Sequence, residues 1–154
     1  MPCDPRITPD GAELQLVFDS DPFAVRRALA ALTTGLAPHL PVPTDRDTVE
    51  IVLAEVLNNV VEHAYRAGPG RIELRIRPTA EGLICAIADH GLPMPGGMLP
   101  QGLLSTPATT DSLPEGGYGW HLIRMLSQDL CYCRDRGRNC LSFRLARTQS
   151  APFQ

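Results

Sequence analysis

Polar and apolar residues alternate over residues 13 to 18, ELQLVF, a period of two that predicts a strand with one buried face. The period then lengthens. In FAVRRALAALTTGLAPHL, apolar positions return every three to four residues or so, the spacing of a helix. Asp21 followed by Pro22 supplies its cap and a first turn with φ already set. PVPT at 41–44 breaks the chain, and Thr44 with Asp47 three residues later resembles a capping box for a second helix over about 45–66. Two further period-two runs, RIELRIRP (71–78) and GLICAIAD (82–89), are separated by a short turn and predict a hairpin. Residues 90–117 have no period and are rich in Gly, Pro, Ser and Thr, so they predict a long lid or binding loop. GWHLIRMLSQ then predicts a helix, and residues 130–147 a closing hairpin that turns at Arg136-Gly137.

The order β-α-α-β-β-loop-α-β-β predicts an α+β two-layer sandwich. Its sheet is mixed and mostly antiparallel, with helices on one face. A chain of 154 residues is expected to form a single domain, with a core over about 10–147 and a frayed tail at 148–154. Composition changes this picture little. Apolar residues make up 44% and charged residues 20%, and the longest apolar runs fall short of the ~20 residues of a membrane span. No secretory leader is visible, so the expected location is cytoplasmic. A net charge of −3 with no basic stripe argues against nucleic acid as a partner. All 14 basic residues are arginine. The five cysteines lack a C-x-x-C pattern; Cys133 and Cys140 face each other if the closing turn is tight, as a cross-strand disulfide or, more in keeping with a cytosolic chain, as reduced side chains.

The helix LAEVLNNVVEHAY (53–65) raises the first chemical question, because asparagine is a poor helix former and two stand side by side in its middle. At about 100° per residue, Val52, Leu53, Val56, Leu57, Val60, Val61 and Ala64 share one face. Glu55, Asn58, Asn59 and Glu62 share the other, with His63 at its margin. That polar face is either solvated or functional. A second feature is Asp89 at a strand end with Gly91 two residues on: a rigidly held acceptor beside a residue without Cβ, or a plain surface turn. The third is EGGYGWHLI (115–123), where glycines run into a helix and expose N–H groups suited to an anion, or form only a hinge and cap.

Glu-x-x-x-Asn-x-x-x-His on a helix, strand-Asp-x-Gly, a lid-like loop and Gly-x-Gly entering a helix, in this order, resemble the Bergerat-type ATP-binding fold. Gyrase, the heat-shock 90 chaperones, histidine kinases and MutL share that fold. The stand-alone size most resembles the anti-sigma-factor serine/threonine kinases. The resemblance implies that Asn59 binds the Mg²⁺ bridging ATP phosphates, and that Glu55 is the general base. It places His63 in packing or support, Asp89 on the adenine amino group and Gly91 beside the base. Gly117 and Gly119 would close over the phosphates, with Arg124 as a further phosphate contact. The implied partners are a sigma factor, its antagonist protein as phosphate acceptor, and a second copy of the chain. Two features depart from the family's pattern. Pro93 stands where a second glycine usually offers an N–H. No Lys or Arg lies between Arg77 and Arg124, so the lid offers the γ-phosphate no basic side chain. These departures favour an alternative, a nucleotide-gated or degenerate partner-binding module without kinase activity. A histidine kinase is disfavoured, since no phosphoacceptor helical hairpin is seen ahead of the ATP domain.

Overall fold

The computed structural model describes residues 13–101 and 117–148. Among the described residues, five strands form one sheet: β1 (Leu14–Asp19), β2 (Arg71–Pro78), β3 (Gly82–Asp89), β4 (Gln128–Asp135) and β5 (Arg138–Ala146), in the spatial order β1-β2-β3-β5-β4. Every pairing is antiparallel. Within the same residues, the α-helices α1 (Pro22–Leu36), α2 (Pro43–Asn59) and α3 (Gly117–Leu126) complete the α+β architecture that the hydropathy pattern predicts.

The period-two runs explain how the layers meet. Ile72, Leu74 and Ile76 of β2, Cys85 and Ile87 of β3, and Phe143 of β5 are all essentially inaccessible to solvent. Val52, Leu53, Val56 and Leu57 of α2 and Ile123 of α3 are buried in the same core. Residues between them on the strands, such as Glu73 and Arg75, fall on the opposite face and are less buried. Burial of Cys85 pushes its thiol well above the ordinary range. The closing hairpin turns as predicted: Arg136 (φ 52°) and Gly137 (φ 76°) both take left-handed conformations, the geometry of a two-residue turn that suits the twist of paired strands. Cys133 and Cys140 are direct cross-strand partners, and no disulfide joins them.

Asp21 caps α1 by accepting the Phe23 N–H at 3.3 Å. The capping box predicted for α2 does not form. Its cap is Val42 without a side-chain bond, and Pro43 at the first position sets the entry instead. Asp45, in that first turn, is buried and accepts the N–H (2.9 Å) and hydroxyl (2.6 Å) of Thr148, tying the exit of β5 to the start of α2. The largest departure lies at the other end of this helix. After Asn59 the chain widens into a π-turn over Val60–Ala64, closed by the Tyr65 N–H on the Val60 carbonyl at 3.0 Å. Such turns interrupt α-helices mostly at functional sites. The loop predicted over 90–117 is described as far as residue 101, with a short 3₁₀ turn at Pro95–Gly97; residues 102–116 of the predicted lid lie outside the described residues.

Candidate functional site

A cavity of about 310 Å³ opens between the end of α2, the end of β3 and the start of α3. Asn59, His63 and Ala64 line it from α2 and its π-turn, Asp89 and Leu92 from the β3 end, and Trp120 from α3. Tyr132 and Asn139 line it from the closing hairpin. The walls are mostly apolar with a few polar groups, the usual make-up of a small-molecule site.

Two regions of the cavity carry its polarity. At the first, Asn59 is 8% exposed, and its amide Nδ2 is buried without a hydrogen-bond partner among the described residues. A buried amide left unmade costs about 1–3 kcal/mol, so the site holds in reserve a group that a ligand can satisfy. A half-turn of the amide about its Cβ–Cγ bond presents its oxygen in place of the nitrogen. Gly119 sits directly above. A Cβ built there would lie 2.5 Å from Oε2 of Glu55 and 3.8 Å from the Asn59 amide nitrogen, so the glycine lets α3 close onto both. Gly117 is the first residue of α3. Asn58 is exposed, so the two adjacent asparagines part company: one faces the cavity and the other faces solvent. The π-turn shifts His63 from the register of an unbroken α-helix, and His63 still reaches the cavity wall.

The second region surrounds Asp89, which is 5% exposed. Its Oδ1 accepts the Gly91 N–H at 2.9 Å and the Asn139 Nδ2–H at 2.8 Å. Burial holds its carboxyl above the usual carboxylate range; those two donors, Arg134 and His90 pull it back down. The Gly91 position is set by packing against α2. A Cβ there would lie 2.3 Å from the Ala64 carbonyl oxygen, which also accepts the Leu92 N–H at 2.7 Å. Only glycine allows this contact. Tyr65 braces the same corner, donating to the Arg71 carbonyl and accepting the His90 N–H at 2.8 Å. Burial raises the Tyr65 phenol.

Arg124, predicted to face phosphate, is exposed and donates its Nε–H to the Pro100 carbonyl at 2.9 Å; the arginine on the cavity wall is Arg66. Sequence reasoning also missed Tyr132, Arg134 and Asn139. Their positions flank the predicted turn, but nothing in the pattern reveals that a turn 50 residues away packs on Asp89.

The sequence model of a family described as the histidine kinase-like ATPase domain matches residues 18–145. The chain belongs to this family. Among curated relatives, the serine/threonine-protein kinase BtrW of Bordetella bronchiseptica is 35% identical over 100 residues, covering 63% of this chain and 68% of the relative. The serine-protein kinase RsbW of Bacillus mycoides is 28% identical over 99 residues, covering 63% of this chain and 62% of its own length. A Bacillus cereus protein of the same name matches to the same extent. The match therefore spans less than two thirds of the two Bacillus relatives. Membership in the family implies ATP use, and no helix among the described residues is long and apolar enough to cross a membrane.

Proposed function

We propose that this chain is an ATP-binding anti-sigma regulatory factor with serine/threonine kinase activity. In this reading it sequesters a sigma factor in the cytoplasm as a homodimer, and phosphorylates the antagonist protein that would otherwise release the sigma factor. The observation that carries the reading is the placing of two polar stations along one helix, the unpartnered Asn59 amide and the Ala64 carbonyl that receives the Leu92 N–H. The Asn59 amide lies one turn from Glu55, and the Ala64 carbonyl that anchors the Asp89 loop lies roughly 7 Å further along the axis. An ATP molecule has matching needs: an amino donor at its base and a metal-bound triphosphate at its other end.

The residues fit that assignment. Asp89 would accept the adenine amino group, with Gly91 beneath the base. Asn59 would supply a neutral hard oxygen to Mg²⁺, as suits a metal held mainly by phosphates and water. When bound, Mg²⁺ supplies charge neutralisation at the phosphates. The amides at Gly117 and Gly119 would face phosphate oxygens, with Arg124 as a side-chain cation. Glu55 would take the proton of a serine or threonine hydroxyl as its oxygen bonds to the terminal phosphorus. The phosphorus–oxygen bond to ADP then breaks, and ADP leaves. In such transfers the base chiefly orients the nucleophile.

Incubating the protein with labelled Mg-ATP and candidate antagonist proteins should place label on a serine or threonine of one of them. A second reading is favoured by Pro93, which removes a backbone donor where the family usually has glycine. On that reading the chain is a nucleotide-gated binding module. Tight nucleotide binding with no label transferred to any candidate antagonist supports the module and contradicts the kinase.

A further inference from the structure

The closing hairpin contributes an amide to the Asp89 end of the cavity that is saturated by the protein itself. Asn139 is buried at the position directly opposite Asp89 in the β3–β5 ladder. Its Nδ2 donates to Asp89 Oδ1 at 2.8 Å and to the Leu92 carbonyl at 2.9 Å. Its Oδ1 accepts from the Tyr132 hydroxyl at 2.6 Å and from Arg134 at 2.8 Å. Arginine can only donate and a carbonyl can only accept, so chemistry fixes which way this amide points. With two bonds given and two received, Asn139 has nothing left for a ligand.

The consequence falls on Asp89. Its Oδ1 already holds two N–H donors, Gly91 and Asn139, while Oδ2 has no partner among the described residues. The neighbouring backbone acceptors are also spoken for. The Gly91 carbonyl accepts from Arg134 at 2.9 Å, the Leu92 carbonyl from Asn139, and the Ala64 carbonyl from the Leu92 N–H. Tyr132 completes the frame by accepting the Met94 N–H at 3.0 Å. We propose that Asn139, held by Tyr132 and Arg134, is the positioning residue of base recognition: it occupies the inner oxygen of Asp89 so that a single acceptor faces a nucleobase amino group. This rests on reading the cavity as an adenine-nucleotide site. A base carrying an oxo group at that position would set oxygen against oxygen, and unpaired polar groups are what a built hydrogen-bonding site rejects most strongly.

The test compares Mg-ADP with Mg-IDP, whose base has oxygen in place of the amino group, by calorimetric titration. Wild type should bind ADP well ahead of IDP. Asn139→Leu keeps the bulk, removes both donors, and should weaken ADP by about tenfold or more while narrowing the ADP/IDP ratio. Asn139→Asp provides a signature that mere packing cannot. Two carboxyls this close share one proton rather than both ionise, so ADP affinity in this variant should rise as pH falls from 8. Wild-type affinity should instead fall as pH drops through the raised range of Asp89, because a protonated carboxyl loses its free acceptor. The other charged or titratable groups around Asp89 are Arg134 and Tyr132 from β4, His90 beside it, and Tyr65, His63 and Arg66 from the end of α2; all are common to wild type and both Asn139 variants. If Asn139→Leu does not fold, Tyr132→Phe decides in its place, with a severalfold weaker ADP affinity and the same narrowing. A folded Asn139→Leu with wild-type affinity and ratio, or Asn139→Asp with the wild-type pH profile, overturns the proposal and leaves the nucleotide site standing. Absence of ADP binding to wild type overturns both.

Discussion

Glu55→Gln is expected to slow phosphate transfer to the antagonist by about 10²–10⁴-fold with nucleotide affinity unchanged, the range for removing a positioned general base. The geometry makes this substitution clean. Glu55 Oε2 lies against the Cβ-free edge of Gly119, a space that an amide of the same shape fills equally well. Glutamine keeps the contact and loses only the ability to take a proton. Single-turnover transfer measured alongside ADP titration separates the two effects. Transfer within about threefold of wild type would remove Glu55 from the role of base.

The second large effect concerns Gly91→Ala. The new methyl carbon would sit 2.3 Å from the Ala64 carbonyl oxygen and 2.6 Å from its carbon, and both atoms are backbone. Neither can swing aside as a side-chain tip would. The loop must move instead, giving up the Leu92 N–H bond to Ala64 and the Gly91 N–H bond to Asp89. Overpacking of this kind costs about 1–3 kcal/mol, which at about 2–4 °C per kcal/mol for a chain of this size is visible in a thermal melt. Because the displaced residues frame Asp89, ADP binding should be lost in protein that is still folded at 25 °C. An unchanged melting temperature together with unchanged affinity would contradict the reading of this contact.

The two predictions differ in how far the sequence foreshadows them. Glu55 and Asn59 stand four residues apart on a strongly periodic helix, so their common side can be read from spacing alone. The strands were equally legible, since Ile72, Leu74 and Ile76 alternate with charged residues and only one register buries them. The Arg136-Gly137 turn follows from the need for two left-handed residues. Other features depend on contacts distant in sequence and leave no local trace. Val60, Val61 and Ala64 suit an α-helix as well as a π-turn, and what accompanies the wider turn is the Leu92 N–H seeking the Ala64 carbonyl. Thr44 and Asp47 have the spacing of a capping box, yet Pro43 sets the helix start by itself. Gly91 reads as room for a ligand, while its Cβ position is filled by α2 backbone. Asn139 reads as an ordinary polar residue beside a hairpin turn, because its partner lies 50 residues back in the chain.

The central claim is that Asp89 presents one acceptor to an adenine nucleotide, and Asp89→Asn addresses it with a change of one atom. The Gly91 and Asn139 N–H groups would draw the new amide oxygen inward. Its NH₂ would then face the cavity, donor against donor. Calorimetric titration of wild type and Asp89→Asn with Mg-ADP is the direct measurement. The account predicts clear binding by wild type and a loss of about 100-fold or more in the variant. Equal affinity in the two proteins, or no binding by either, would contradict it.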